Sequence, residues 1–119
     1  MIIQNKNIRR NILSALSDEH MSKILESTSV SEKTVFEIMQ EQKIPHSTTY
    51  RKIKQLLKFG LLALYRSKIT DGKKMAFYKS TFRSIQINYS GSSECKIEAI
   101  SNSDVLEKIS KRFYDFDGD

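Results

Sequence analysis

Ser47, Tyr50, Arg51, Lys54 and Lys58 are spaced so that, at about 100° per residue, they fall in one arc of a helix. Hydroxyls, a phenol and cations on one face supply donors for phosphate oxygens and for base edges. An arginine there can donate twice to one guanine, at O6 and N7. Thr49, Ile53, Leu56 and Gly60 fall on the opposite arc, which is apolar or small. Pro45 suits the first turn, because it lacks an amide hydrogen that the turn would leave unpaired. Gly60 suits the end, where a positive φ is needed. The stretch from Ile44 to Leu62 is therefore expected to hold a short helix with two unlike faces, bounded by its own chemistry.

Lysines and arginines on an isolated helix face commonly do no more than keep a domain soluble. The flanking sequence argues for more than that. From Lys43 to Arg83 there are eleven basic residues against one acid, Asp71. Solubility is served by mixed signs, so the segregation points to a polyanionic partner. The whole chain, at +6 and a pI near 9.5, is biased the same way.

The 119 residues fit one domain, and the 39% apolar content supports a modest core. No apolar run approaches the roughly 20 residues that cross a bilayer, and the amino terminus lacks the pattern of a secretory signal. A cytoplasmic, nucleoid-associated protein with no membrane partner is expected. Cys95 is the single cysteine, so no intramolecular disulfide can form, and a small core residue is the expected role. An enzyme is not expected, since there is no phosphate-binding glycine loop, zinc-protease motif or close Cys-His pair. No metal or cofactor is expected: His20, His46 and Cys95 are scattered, and Asp115-Phe116-Asp117-Gly118-Asp119 starts like a calcium loop without the remaining ligands.

The elements around the two-faced helix follow from periodicity. Residues 1 to 7 are expected to be a frayed or partner-packed end. Ile8 to Leu16 has helical spacing, and Ser17-Asp18-Glu19 starts a second helix, running to about Thr28 on Met21, Ile24 and Leu25. Ser27 to Thr34 reads as a loop, with a very short strand at Thr34-Val35. Phe36 to Gln42 predicts a third helix, with Phe36, Ile38 and Met39 inward. Only Lys43 and Ile44 separate it from Pro45, which makes a helix-turn-helix. Leu61 to Ile69, an Asp71-Gly72 turn and Met75 to Thr81 predict a β-hairpin with Lys68, Lys73 and Lys74 at its tip. Alternation through Ile85, Ile87 and Tyr89, then Cys95, Ile97 and Ala99, predicts a second hairpin over 82–100. Ser101 to Asp104 offers caps for a last helix over 101–114, with Val105, Leu106, Ile109 and Phe113 as its apolar stripe. Tyr114 to Asp119 is expected to be a loose acidic tail.

This order of elements resembles the winged helix-turn-helix transcription regulators, in particular the ArsR-like group of archaea and bacteria. The resemblance rests on Ile12-Leu13-Ser14-Ala15-Leu16-Ser17-Asp18, Glu37-Ile38 through Ile44-Pro45, Ser47-Thr48-Thr49-Tyr50-Arg51, and Leu56 to Gly60-Leu61-Leu62, within residues 8 to 81. It implies an α+β winged helix with a hairpin wing, additional strands and a carboxy-terminal dimerisation helix. It also implies sequence-selective binding of double-stranded DNA by a homodimer that represses transcription. The DNA readers would be His46, Ser47, Thr48, Tyr50, Arg51 and Lys54, joined by Lys58 further along the helix and by Lys68, Lys73 and Lys74 on the wing. Metal sensing is not expected, because the paired cysteines of the sensing members are missing. The segment from Ser84 to Ile100 exceeds what a minimal winged helix needs.

One such domain reads few base pairs, so two copies on a near-palindrome, with half-sites about 34–36 Å apart, are expected. Val105, Leu106, Ile109 and Phe113, packed with Ile8 and Ile12 of a second copy, form the candidate interface. Ordinary packing within one chain is the alternative use of that stripe. The rival for the whole reading keeps the fold and makes it a protein-interaction or RNA-binding module of a transcription assembly. The basic segment argues against a purely protein partner, and the narrow major groove of A-form RNA suits such a helix less well.

Overall fold

A computed structural model describes residues 1–91 and 95–108. Four helices come first: α1 (Lys6–Ser17), α2 (Glu19–Thr28), α3 (Val35–Gln42) and α4 (His46–Phe59). Two antiparallel hairpins follow, β1 (Leu62–Thr70) with β2 (Lys73–Ser80) and β3 (Phe82–Asn88) with β4 (Lys96–Ser101). Residues 103–108 are helical. This is an α+β winged helix-turn-helix. Ile109, Phe113 and the acidic tail lie outside the described residues.

Side-chain caps set three of the helix starts. Asn5 accepts from the amides of Asn7 and Ile8, and Asp18 from those of His20 and Met21. Thr34 and Glu37 form a reciprocal capping box at α3. Within the expected Ser17-Asp18-Glu19 start, the cap of α2 is thus Asp18. The predicted strand at Thr34-Val35 is instead a single bridge one residue earlier: Lys33 and Tyr78 exchange backbone bonds of 2.9 and 2.7 Å. Thr34 is already committed to capping, and Val35 to the helix.

Ile12, Ile24, Ile38, Ile53, Leu56 and Leu61 are fully buried and join Ile97 and Ala99 in one core. The second hairpin therefore packs into the helical core. Its register pairs Ile85 with Ala99 and Ile87 with Ile97, placing these four on one face as the alternation predicts. Tyr89, expected on the same inward face, is exposed, and Ile87 is largely so. Ile97, opposite Ile87, is fully buried, because β4 lies between β3 and the amino-terminal residues that pair with its other edge.

Two further expectations are corrected. The amino-terminal residues pair with β4: Ile3 N–H donates to Ile97 O at 2.9 Å and Ala99 N–H to Met1 O at 2.8 Å. Ile3 is buried, so this end is not frayed, while Met1 and Ile2 keep exposed side chains. Phe36, expected inward, is 65% exposed, because α3 turns a narrow stripe centred on Ile38 toward the core.

Candidate nucleic-acid interface

α3 ends on Lys43 in the left-handed region at φ 54°, its N–H bonded to Met39 O. That conformation costs a non-glycine residue about 1–2 kcal/mol. It reverses the chain within Lys43-Ile44-Pro45 and sets α4 against α3. Pro45 stands just before the first helical residue, and Thr49 N–H makes the first return bond to Pro45 O at 2.9 Å. At the far end Gly60 takes φ 77°, its N–H reaching Leu57 O while Leu61 N–H reaches Leu56 O at 3.0 Å. This is a Schellman closure, the use expected of that glycine.

The two faces of α4 separate as the wheel predicts. Thr49, Ile53 and Leu56 are buried. Burying Ile53 and Leu56 stabilises the docking by roughly 1.5–3 kcal/mol each. The Thr49 hydroxyl is satisfied by Pro45 O at 2.9 Å. On the other face His46, Ser47, Tyr50, Arg51, Lys54 and Lys58 are exposed, and Thr48 is half-buried at the edge. The His46 and Tyr50 rings pack at a tilt, centroids 4.7 Å apart. Unlike the starts of α1, α2 and α3, that of α4 has no side-chain cap. Its first amides are therefore open to an acceptor from outside, such as a phosphate oxygen.

Lys52 sits one residue from Arg51 yet behaves differently. Its ammonium donates to the Asp18 carboxylate at 2.6 Å, and its side chain is only 14% exposed. Burial pushes the Asp18 carboxyl up, but the bonds from Lys52 and from the Met21 and His20 amides prevail and hold it below the usual carboxylate range. One carboxylate thereby caps α2 and locks α4 to it. Arg66 and Lys79 are likewise committed, to Glu32 at 2.6 Å and Asp104 at 2.7 Å. Among the described residues no ion pair holds Arg51, Lys54 or Lys58, nor Lys68, Lys73 or Lys74 on the hairpin.

The hairpin turns on Asp71 and Gly72, both at positive φ, the type I′ geometry that an Asp-Gly pair favours. Register places its cations on both sides. Lys68 pairs with Met75 and Thr70 with Lys73 on one face, shared with Arg66 and Phe77. Lys74 pairs with Ile69 on the other, the face of Tyr78, which packs on the helical core. Burial and the nearby Tyr50 phenol push the Tyr78 hydroxyl above the ordinary phenol range. Lys74 is therefore on the side of the hairpin that faces the helices, and Lys68 and Lys73 are on the reverse.

The base of the hairpin carries groups that sequence reasoning did not single out. A bulge lies between Leu64 and Arg66. Tyr65 donates to Asp104 at 3.0 Å, and the Lys108 ammonium stands 4.2 Å over the Tyr65 ring. The bonds from Lys79, then Tyr65, hold the Asp104 carboxyl below its usual range despite partial burial. Asn102 is buried and donates to Ser29 O at 2.9 Å and Ser80 O at 2.7 Å. Its only signal in the sequence is a run of capping residues, which does not reveal what it joins.

The candidate interface between copies is partly dismantled. Ile12 is 0% and Val105 1% exposed, each consumed by packing within the chain. Ile8 and Leu106 remain at the surface, with Leu13 and Leu16 of α1 also exposed.

No family model and no curated protein matches the chain. Among solved structures it is similar to HlyU from Vibrio cholerae N16961, at 20% identity over 65% of this chain and 80% of that one, with a TM-score of 0.52. It is similar to NolR from Sinorhizobium fredii at 16% identity, covering 98% and 96% of the two chains, with a TM-score of 0.51. At such identities the likeness is one of fold. A third structure, the homodimeric winged helix-turn-helix DNA-binding domain Mb0332 from Mycobacterium bovis, described as a possible ArsR-family transcriptional regulator, matches at 16% identity. It covers 67% of this chain and 75% of that one, with a TM-score of 0.49.

Proposed function

We propose that this protein is a sequence-selective double-stranded-DNA-binding transcriptional regulator, a repressor of the ArsR-like kind that acts as a homodimer. One observation carries the reading: the hydroxyl, aromatic and cationic face of α4 is outward and free of ion pairs among the described residues, beside a hairpin with unpaired lysines. A helix of that diameter fits the major groove of B-form DNA. Arg51 donates to a guanine edge, and Ser47, Thr48 and the open first-turn amides serve phosphates. Lys54 and Lys58 follow the backbone, and Tyr50, packed at a tilt against His46, reaches a base or a phosphate. Lys68, Lys73 and Lys74 add attraction that is independent of sequence. The homodimer uses Ile8 and Leu106 with Ile109 and Phe113 of the predicted carboxy-terminal stripe.

Capture and sequencing of genomic fragments bound by the protein tests this, together with competition between duplex DNA and duplex RNA at fixed salt. A shared near-palindromic motif and preference for DNA are expected. Enrichment of no motif, or equal competition by RNA, overturns the reading.

A further inference from the structure

Lys6, Arg9 and Arg10 stand at i, i+3 and i+4 on α1, so their side chains share one side of the helix. They border a shallow surface cavity of about 590 Å³, wide open to solvent and shared with Leu13, Ser14 and Cys95. Among the described residues no carboxylate lies within ion-pair distance of any of the three cations. For the helix alone this is a poor choice. Like charges at these spacings repel, and the first turn of α1 has Lys6 and no acid where the dipole favours an anion. α2 and α3 each carry an acid in the first turn, Glu19 and Glu37, whereas α4, like α1, has none.

Arg9 is held in place. It donates from Nη1 to Ile3 O at 3.1 Å and from Nη2 to Cys95 O. Two of its five N–H donors thus fix the guanidinium, which stands half-buried in the cavity wall. Lys6 and Arg10 are exposed at the rim.

We propose that this cavity binds a small ligand bearing a phosphate or pyrophosphate group. Arg9 is the positioned anchor, Lys6 and Arg10 neutralise the remaining charge, and Leu13 lines the wall for the ligand's less polar part. Three cations match a multiply charged phosphate better than a single carboxylate, and arginine suits its tetrahedral oxygens. This inference does not depend on the DNA-binding reading. Because Arg9 also grips the segment that pairs with β4, an occupied cavity would reinforce that pairing.

The test titrates the full chain with sodium pyrophosphate at constant ionic strength. Amide shifts and the rate of Cys95 alkylation by iodoacetamide are followed. Saturable shifts confined to Lys6–Ser14 and Cys95, with slowed alkylation, are expected. The Lys6→Gln/Arg10→Gln variant changes only exposed side chains and should bind at least tenfold more weakly. Unsaturable shifts, shifts centred on α4 and the hairpin, or equal binding by the variant would each overturn the proposal. In DNA-binding measurements the variant should keep the natural salt slope. A slope lower by about 2 would assign these cations to DNA phosphates instead.

Discussion

Lys52 and Lys54 are two residues apart on α4, and the structure assigns them opposite jobs. Replacing each by methionine keeps the aliphatic stem and removes the charge. Lys52 is mostly covered and its ammonium is 2.6 Å from Asp18, itself 28% exposed. A fully exposed pair contributes about 0–1 kcal/mol, and breaking a buried one costs about 3–5 kcal/mol. This half-covered pair also steadies the carboxylate that caps α2, so Lys52→Met should cost about 1–2 kcal/mol. Lys54 has no such partner among the described residues, and Lys54→Met should change stability by less than about 0.5 kcal/mol. DNA binding should respond the other way. Losing one phosphate contact at Lys54 lowers the slope of log affinity against log salt by about 0.9, whereas Lys52→Met should leave it unchanged. Urea unfolding gives the first quantity, and fluorescence anisotropy on one duplex across a salt series gives the second. If Lys52→Met lowers the slope as much as Lys54→Met does, or if it leaves stability untouched, the division of labour argued from the Asp18 contact is wrong.

Other outcomes are expected on the same grounds. Arg51→Ala should relax sequence preference, at about 1–3 kcal/mol of lost discrimination, while Lys73→Ala should weaken binding to all duplexes alike; binding to a panel of altered sites separates the two. Asn102→Ala strips donors from the buried Ser80 carbonyl and the half-buried Ser29 carbonyl and should destabilise the fold by about 1–3 kcal/mol, the cost of the one buried carbonyl left unpaired. A loss below about 1 kcal/mol in urea melts would mean that water replaces the amide. The Asp18 carboxyl is lowered in the folded state, so its contribution is complete above the unfolded carboxylate value of about 3.9 and is lost as pH falls through the folded value. Asp18→Asn should accordingly lower stability at neutral pH and flatten its fall in acid; an unchanged acid limb would remove Asp18 from the account. Gly60→Ala meets no atom within 4 Å but must hold φ 77°, and should cost about 1–2 kcal/mol through backbone strain alone.

The sequence by itself determined the local structure. Periodicity placed α4 between Pro45 and Gly60 and sorted its residues into Thr49, Ile53 and Leu56 against Ser47, Tyr50, Arg51, Lys54 and Lys58. The Asp71-Gly72 pair gave the hairpin turn, and alternation gave the faces of β3 and β4. Each of these follows from steric and hydrogen-bonding preferences acting over a few residues, so the information lies in the neighbouring sequence. Charge was legible only as a total. Eleven cations between Lys43 and Arg83 look equivalent in the sequence, but Asp18, Glu32 and Asp104 reach in from outside that stretch to take Lys52, Arg66 and Lys79. Which cations stay open is thus decided by contacts across 25 to 34 residues. Ile12 and Val105 show the same limit for apolar groups, since an amphipathic stripe reveals that a face must be covered without revealing whether the cover is this chain or another. Only the tertiary structure decided these questions, because an ion pair or a buried methyl is defined by distance in space, and folding alone brings those partners together.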